Sequence, residues 1–281
     1  MNKTLAHQVV AYLGPAGSYT HAAALKGYGT DVELLPVADI PAIFDAVESG
    51  RADAGVVPVE NSNEGSVAIT LDRLLTTPLT IQAELLLPIH HCLLALPGTK
   101  RDEIRLIRSH QQALGQCREW LQQHFPSVEK VAASSNSEAA RLAAHERGVA
   151  AIASENAAEL YGLEVLAASI EDAHDNTTRF VSLARGAHPP PSGSDKTSLF
   201  ILVRNEPGTL LRALEPFSRH GINLSKLESR PTRKAAWSYS FYVDVDGHVE
   251  DPRFKAALEE LAQQSIEVKL LGSYPAAGQP L

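Results

Sequence analysis

The run Ala54-Gly55-Val56-Val57-Pro58-Val59 is almost wholly apolar and ends on the polar stretch Glu60-Asn61-Ser62-Asn63-Glu64-Gly65-Ser66. A strand this apolar is buried on both faces, which calls for helices on either side of its sheet. The neighbouring sequence supplies them. Val9 to Leu13 reads as a strand, Gly14 to Ser18 breaks it, and Tyr19 to Lys26 reads as a helix. Val32 to Leu35 reads as a second strand, before a helix capped by Asp39 and stopped by Gly50. Beyond the polar stretch, Val67 to Leu75 reads as a third helix. Strands alternating with helices predict an α/β fold with a parallel sheet. Ligands of such sheets sit at the carboxyl ends of the strands, where the turn at 14–18 and the loop at 60–66 both lie.

The pattern then repeats. Thr80 to Leu87 and Ile89 to Leu96, joined at Pro88, read as a crossing into a second lobe. There, strands at Ile104 to Ile107, Val128 to Ala133 and Val149 to Ala153 alternate with helices. One helix runs from the turn Ser109-His110-Gln111-Gln112 to His124. Another starts at the capping box Ser135…Glu138 and ends at Arg147. A short third spans Glu155 to Tyr161, closed by Gly162. Leu163 to Ala168 is expected to cross back, and Thr178 to Ala184 to rejoin the first lobe. Two lobes with two crossings predict a hinged cleft, a common place for a small-molecule site.

His188-Pro189-Pro190-Pro191-Ser192-Gly193-Ser194-Asp195 reads as a semi-rigid linker. Strands at Thr197 to Val203, Leu224 to Ser229, Trp237 to Asp246 and Ile266 to Leu271, with helices at Gly208 to His220 and Pro252 to Gln264, follow in the order βαββαβ. That order is a ferredoxin-like unit. The expected division is lobe 1 at about 7–86 and 170–186, lobe 2 at about 87–169, a linker at 187–195 and a C-terminal unit at 196–275.

The formal charge of −8 over 281 residues argues against nucleic-acid or anionic-membrane partners, which need a basic face. Cys92 and Cys117 make no CxxC pair and suit a reducing compartment. No signal-peptide pattern and no long apolar span is visible, so a cytoplasmic protein is expected. The turn at 14–18 lacks both the Walker element and G-x-G-x-x-G, which disfavours nucleotides. His90 and His91 are adjacent and would face opposite sides of a strand, so they make a poor metal pair, and no metal is expected.

Asn176-Thr177-Thr178-Arg179-Phe180 leads into the apolar strand Val181-Ser182-Leu183-Ala184. Alternation along a strand puts Thr178 and Phe180 on one face, with Arg179 on the other or at the strand mouth.

Five motifs in order resemble prephenate dehydratase of the monofunctional type with a C-terminal ACT regulatory domain. They are Gly14-Pro15-Ala16-Gly17-Ser18-Tyr19-Thr20-His21, Pro58-Val59-Glu60-Asn61-Ser62, Ser109-His110-Gln111-Gln112-Ala113-Leu114 with Gln116-Cys117, Thr178-Arg179-Phe180, and Glu228-Ser229-Arg230-Pro231. Gln111 stands where the family has Pro, and Gly208-Thr209-Leu210-Leu211 where it has Gly-Ala-Leu-Val. The resemblance implies a two-lobed, periplasmic-binding-protein-like catalytic domain. The reaction it implies turns prephenate into phenylpyruvate, carbon dioxide and water, on the way to phenylalanine, with no cofactor.

By the same resemblance Thr178, Glu60 and Asn61 are catalytic. Arg179, Phe180, Ser109, Gln116, Ser18 and Thr20 bind substrate, with Arg179 as the carboxylate anchor. Phenylalanine as effector would meet Gly208, Thr209, Leu210, Leu211, Asn223, Leu224, Glu228, Ser229, Arg230 and Pro231, between ACT units paired in a homodimer or homotetramer. An arogenate dehydratase and a non-catalytic carboxylate sensor of the same fold are the alternatives.

Overall fold

A computed structural model describes residues 8–231 and 239–277. The first sheet is built from β1 (Val9–Leu13), β2 (Glu33–Val37), β3 (Ala54–Asn61), the short β4 (Gly65–Ser66), β5 (Thr80–Pro88) and, much later, β11 (Thr177–Ala184). Its order is β2-β1-β3-β11-β5, with β4 paired to the end of β3. Helices α1 (Tyr19–Tyr28), α2 (Ile40–Glu48) and α3 (Ala68–Thr76) cover it. The second sheet, in the order β10-β6-β9-β7-β8, takes β6 (Cys92–Ala95), β7 (Leu106–Ser109), β8 (Glu129–Ala132), β9 (Val149–Ala153) and β10 (Glu164–Ala167). Its helices are α4 (Gln111–Gln116), α5 (Arg118–His124), α6 (Asn136–Ala143) and α7 (Glu155–Tyr161).

Both sheets are mixed, not parallel throughout as the alternation predicted. β1, β2 and β3 run parallel, but β11 is antiparallel to both β3 and β5. The chain returns from the second sheet directly into the middle of the first, with no helix to reverse it, so it arrives in the opposite sense. Leu163 to Ala168 does not cross back. Its core, β10, pairs antiparallel with β6 at the edge of the second sheet, and the crossing follows it. Helix α6 stops at Ala143, short of Arg147, because His145 and Glu146 N–H bond three residues back, to Leu142 and Ala143, and tighten the last turn.

The third sheet has β12 (Asp195–Leu202), β13 (Leu224–Pro231), β14 (Tyr239–Asp246) and β15 (Glu267–Pro275) in the order β13-β14-β12-β15, every pair antiparallel. With α8 (Thr209–Arg219) and α9 (Pro252–Gln264) this is the expected βαββαβ unit. The predicted start of β14, at Trp237, lies outside the described residues.

One face of the third sheet packs on α8 and α9 through Leu199, Ile201, Val243, Val245, Phe217 and Phe254. The other face meets the first sheet. Phe200, Tyr242, Leu271 and Tyr274 share one buried core with Val57, Val59, Val181 and Leu183. A Cβ on Gly272 would stand 2.4 Å from Ile81 O, so β15 and β5 approach as closely as only glycine permits. Among the described residues no helix is long and apolar enough to cross a membrane.

Candidate active site

A cleft of about 300 Å³ opens where the ends of β3 and β11 face the second sheet. Asn61 and Thr178 lie opposite each other in the antiparallel ladder and both line it. Asn61 Oδ1 accepts from the backbone N–H groups of Asn63 and Glu64, at 3.0 and 3.1 Å. The amide orientation is thereby fixed, and Nδ2 must point the other way. It donates to Thr178 Oγ1 at 2.8 Å and to Asn176 Oδ1 at 2.6 Å. Thr178 therefore accepts one hydrogen bond inside the protein and keeps its own O–H proton for the cleft.

The facing wall comes from 89–91 and α4. The Tyr19 hydroxyl lies 2.8 Å from both His90 O and His91 Nδ1, and His91 Nε2 lies 2.7 Å from Gln116 Oε1. Gln116 Oε1 can only accept, so His91 carries its proton on Nε2, and the single Tyr19 hydroxyl proton is shared between the two acceptors it faces, His90 O and His91 Nδ1. Burial holds the His91 pKa below the usual imidazole value, partly offset by the Gln116 bond, so the ring is neutral near pH 7. Beneath the wall, buried Glu171 accepts from His91 N–H at 2.8 Å and pairs with His90 Nδ1 at 2.8 Å. Burial pushes its carboxyl up, but these partners win and hold it below the ordinary range. Both crossing segments are thus tied together.

Among the described residues no Lys or Arg lines the cleft, and Glu64 is its single carboxylate. Helix starts around it add positive potential from the backbone. Helices α1, α3 and α6 all begin at its rim, at Tyr19, just after Ser66 and Val67, and at Asn136. Their first N–H groups carry the positive end of the helix dipole.

The structure brings Thr178, Asn61 and Gln116 together and sends the other expected residues elsewhere. Arg179 points away from the cleft: it is 8% exposed, pairs with Asp244 of β14, and donates to Tyr274 Oη at 3.0 Å. Its Nε lies 2.5 Å from Glu84 Oε1 of β5, a charge contact too poorly aligned for a good hydrogen bond. Glu60 is likewise on the far face, with Oε1 2.6 Å from Lys226 Nζ of β13. The reason is strand alternation: Thr178 and Asn61 take the cleft side, so Arg179 and Glu60 cannot.

Phe180 shares the Thr178 face, as expected, but lies deeper in the core with Val10, Tyr12, Ala23 and Ala24, and walls nothing. Ser109 is fully buried below the cleft floor, donating to Ile152 O at 2.6 Å and lying 3.0 Å from Asn136 Oδ1. Ser18 caps α1, accepting from His21 N–H and donating to Leu13 O. Thr20 is buried within α1 and does not reach the lining. The reading of the sequence missed Tyr19, His91 and Asn176. Tyr19 and Asn176 stood inside noted segments, whereas His91 was weighed only with His90 as a metal pair, because its place in the cleft depends on the crossing.

The Gly208, Thr209, Leu210 and Leu211 segment lines a separate hollow of about 330 Å³ at the start of α8, with Val203, Glu206 and Phe241. The other expected effector residues lie apart from it. Asn223 is tied to Asp246 at 2.8 Å, and Leu224 packs into the core of the third sheet. Glu228, Ser229, Arg230 and Pro231 lie on the edge strand β13, where Arg230 pairs with Asp72 of α3 at 2.6 Å.

Two α/β sheets around a polar cleft, followed by a βαββαβ unit seated on the first sheet, define a two-lobed small-molecule-binding domain with an appended ferredoxin-like module. The family profile of prephenate dehydratase matches residues 10–188, and that of the ACT domain residues 197–263. The chain is 48% identical over 268 residues to the bifunctional chorismate mutase/prephenate dehydratase of Pseudomonas aeruginosa, covering 95% of this chain and 73% of that protein. The crystal structure of Arthrobacter aurescens prephenate dehydratase in complex with L-Phe superposes with a TM-score of 0.88 at 38% identity, covering 95% of this chain and 89% of that one. A structure described as a novel type of quorum quenching acylase also superposes at 0.88, with 33% identity, covering 96% and 98%. The chain belongs to the prephenate dehydratase family and carries the family's C-terminal ACT domain.

Proposed function

We propose that this cleft turns prephenate into phenylpyruvate, carbon dioxide and water, as a cytoplasmic step toward L-phenylalanine. The observation that carries the mechanism is the fixed Asn61 amide, which leaves the Thr178 proton free to be donated. In the reaction the ring C–O bond breaks as Thr178 donates to the leaving hydroxyl. The bond to the ring carboxylate breaks with it, its electron pair completes the aromatic ring, and carbon dioxide departs. Asn61 Nδ2–H stabilises the charge that grows on Thr178 oxygen, the kind of preorganised support that is worth most in a site shielded from water. A proton from solvent then restores the Thr178 hydroxyl, so that the prephenate dianion and one proton give the phenylpyruvate anion, carbon dioxide and water; the reaction is redox-neutral, and aromatisation supplies its driving force.

The two substrate carboxylates meet amide and hydroxyl donors and the starts of α1, α3 and α6, in place of the arginine clamp expected from the sequence. The catalytic domain spans the described residues to 186, the linker expected at 187–195 ends at Ser194, and the ACT domain runs from Asp195, the first residue of β12, to 275. Phenylalanine is the effector at the hollow beside Gly208. Leu211, 75% exposed at that hollow, is suited to contact with a second copy, in a homodimer or homotetramer joined through the ACT units.

Ultraviolet detection of product from purified prephenate and, separately, purified arogenate tests the reading. Phenylpyruvate from prephenate supports it. Phenylalanine from arogenate at a higher kcat/KM would make the chain an arogenate dehydratase, and no product from either would leave only a binding protein.

A further inference from the structure

Arg179 follows Thr178 directly, yet it takes no part in the cleft. Its guanidinium is buried in a cluster drawn from two domains: Glu84 of β5 on one side, and Asp244 and Tyr274 of the third sheet on the other. The cluster is closed and charge-balanced. Lys196 Nζ reaches Glu84 Oε1 at 2.7 Å, Ser198 hydrogen-bonds Asp244, and the hydroxyls of Ser198 and Tyr274 are 2.5 Å apart. A buried cation is strongly held by its partners, because losing one leaves an uncompensated charge in the interior. Two of the direct partners of Arg179 belong to the ACT sheet, so the seating of that sheet fixes the Arg179 side chain. The residue before it on the same strand carries the Thr178 hydroxyl on the opposite face.

Two further ion pairs, more exposed than the Arg179 cluster, also join the ACT sheet to the first lobe. Lys226 of β13 holds Glu60, the neighbour of Asn61. Arg230 of β13 holds Asp72 on α3, the helix whose start borders the cleft. On the ACT side, β14 carries Asp244 and, three residues earlier, Phe241, which lines the hollow beside Gly208. One strand therefore touches both the hollow and the Arg179 cluster.

We propose that Arg179 is a positioning residue, which with Asp244 and Tyr274 transmits the seating of the ACT sheet to the Thr178 hydroxyl. The inference rests on the reading of Thr178 as the proton donor. A ligand in the ACT hollow alters turnover to the extent that it favours one seating of the sheet over another.

The test uses the full chain with Asp244→Asn, Tyr274→Phe and, as a control on the site itself, Thr178→Ala. Steady-state rates with prephenate are measured with and without phenylalanine, and phenylalanine binding is followed by calorimetry. Asp244→Asn and Tyr274→Phe are expected to lower kcat about tenfold, in the range of a displaced catalytic group, with KM within about twofold. The effect of saturating phenylalanine on kcat shrinks at least about threefold in both, while its affinity stays within about threefold. A merely structural role would lower the melting temperature without altering the phenylalanine response of the folded fraction. Should Asp244→Asn fail to fold, Tyr274→Phe, which keeps every charge, decides the matter. Thr178→Ala retaining turnover would sink the reading of the site. Thr178→Ala inactive, with Tyr274→Phe matching wild type in kcat and in phenylalanine response, would sink the relay alone.

Discussion

Thr178 and Arg179 are consecutive on β11 and serve opposite sides of the sheet: the hydroxyl borders the cleft, and the guanidinium is locked to Asp244 of the ACT domain. The residue expected from sequence to grip the substrate grips the regulatory sheet instead. The active-site strand is thereby also an interdomain strand.

Thr178 is expected to be the most sensitive position in the cleft. Thr178→Val keeps the strand and removes the proton, and kcat is expected to fall by ~10²–10⁴-fold. Thr178→Ser restores the donor and should stay within about tenfold of wild type. Equal activities for the two variants, measured by phenylpyruvate absorbance, would remove Thr178 from the mechanism.

Asn61→Asp preserves the acceptor for the Asn63 and Glu64 N–H groups but replaces the donor facing Thr178 with a second acceptor. Thr178 must then give its proton to the new carboxylate or leave two oxygens facing without one. A loss of kcat of about 10²-fold is expected, with the fold intact by circular dichroism. Activity near wild type would show that the amide does not direct the Thr178 proton.

Glu60 is a contrasting case. It faces Lys226 outside the cleft, and its side chain is 36% exposed. Glu60→Gln should change kcat by less than about threefold, since a partly exposed pair contributes little. A hundredfold loss, with substrate affinity unchanged, would return the carboxylate to the chemistry.

His91 sets a pH dependence. Burial lowers its pKa from 6.5 in the folded protein. The unfolded chain therefore takes up a proton below pH 6.5 that the folded site refuses. The contribution of neutral His91 to stability is full above that pH and declines as pH falls from 6.5 toward the lower folded value. Thermal melts of wild type and His91→Gln, compared across pH 5 to 8, should show the shallower acid slope in the variant. Parallel slopes would exclude His91 as their source.

Gly272→Ala drives a methyl group into the Ile81 backbone. Overpacking of this kind costs about 1–3 kcal/mol, read from urea unfolding. Because the added group wedges β15 from β5, kcat should fall as well, through the Arg179 cluster. A variant as stable and as active as wild type would show that the two sheets tolerate separation.

Much of the architecture was legible before any coordinates. Val149 to Ala153 and Pro252 to Gln264 form the elements that their apolar spacing and flanking breakers define. The βαββαβ order and the two-sheet cleft were readable for the same reason: hydrophobic periodicity and glycine or proline punctuation are local properties. The direction of β11 was not. Nothing local distinguishes a strand that enters a sheet parallel from one that enters against it, and the antiparallel entry depends on where the crossing segment emerges. The place of His91 in the cleft went unread, beyond its rejection as a metal ligand, because its partners, Tyr19 and Gln116, are far off along the chain and meet it only once the sheets are placed.

The 178–180 tripeptide divides the two kinds of knowledge. That Thr178 and Phe180 share a face opposed by Arg179 was decided by the two-residue repeat of any extended chain. Which face looks into the cleft, and that the other is covered by a separately folded sheet offering Asp244 and Tyr274, was decided only by tertiary packing. Alternation is a property of the backbone, but the environment on each side is made by segments more than sixty residues away.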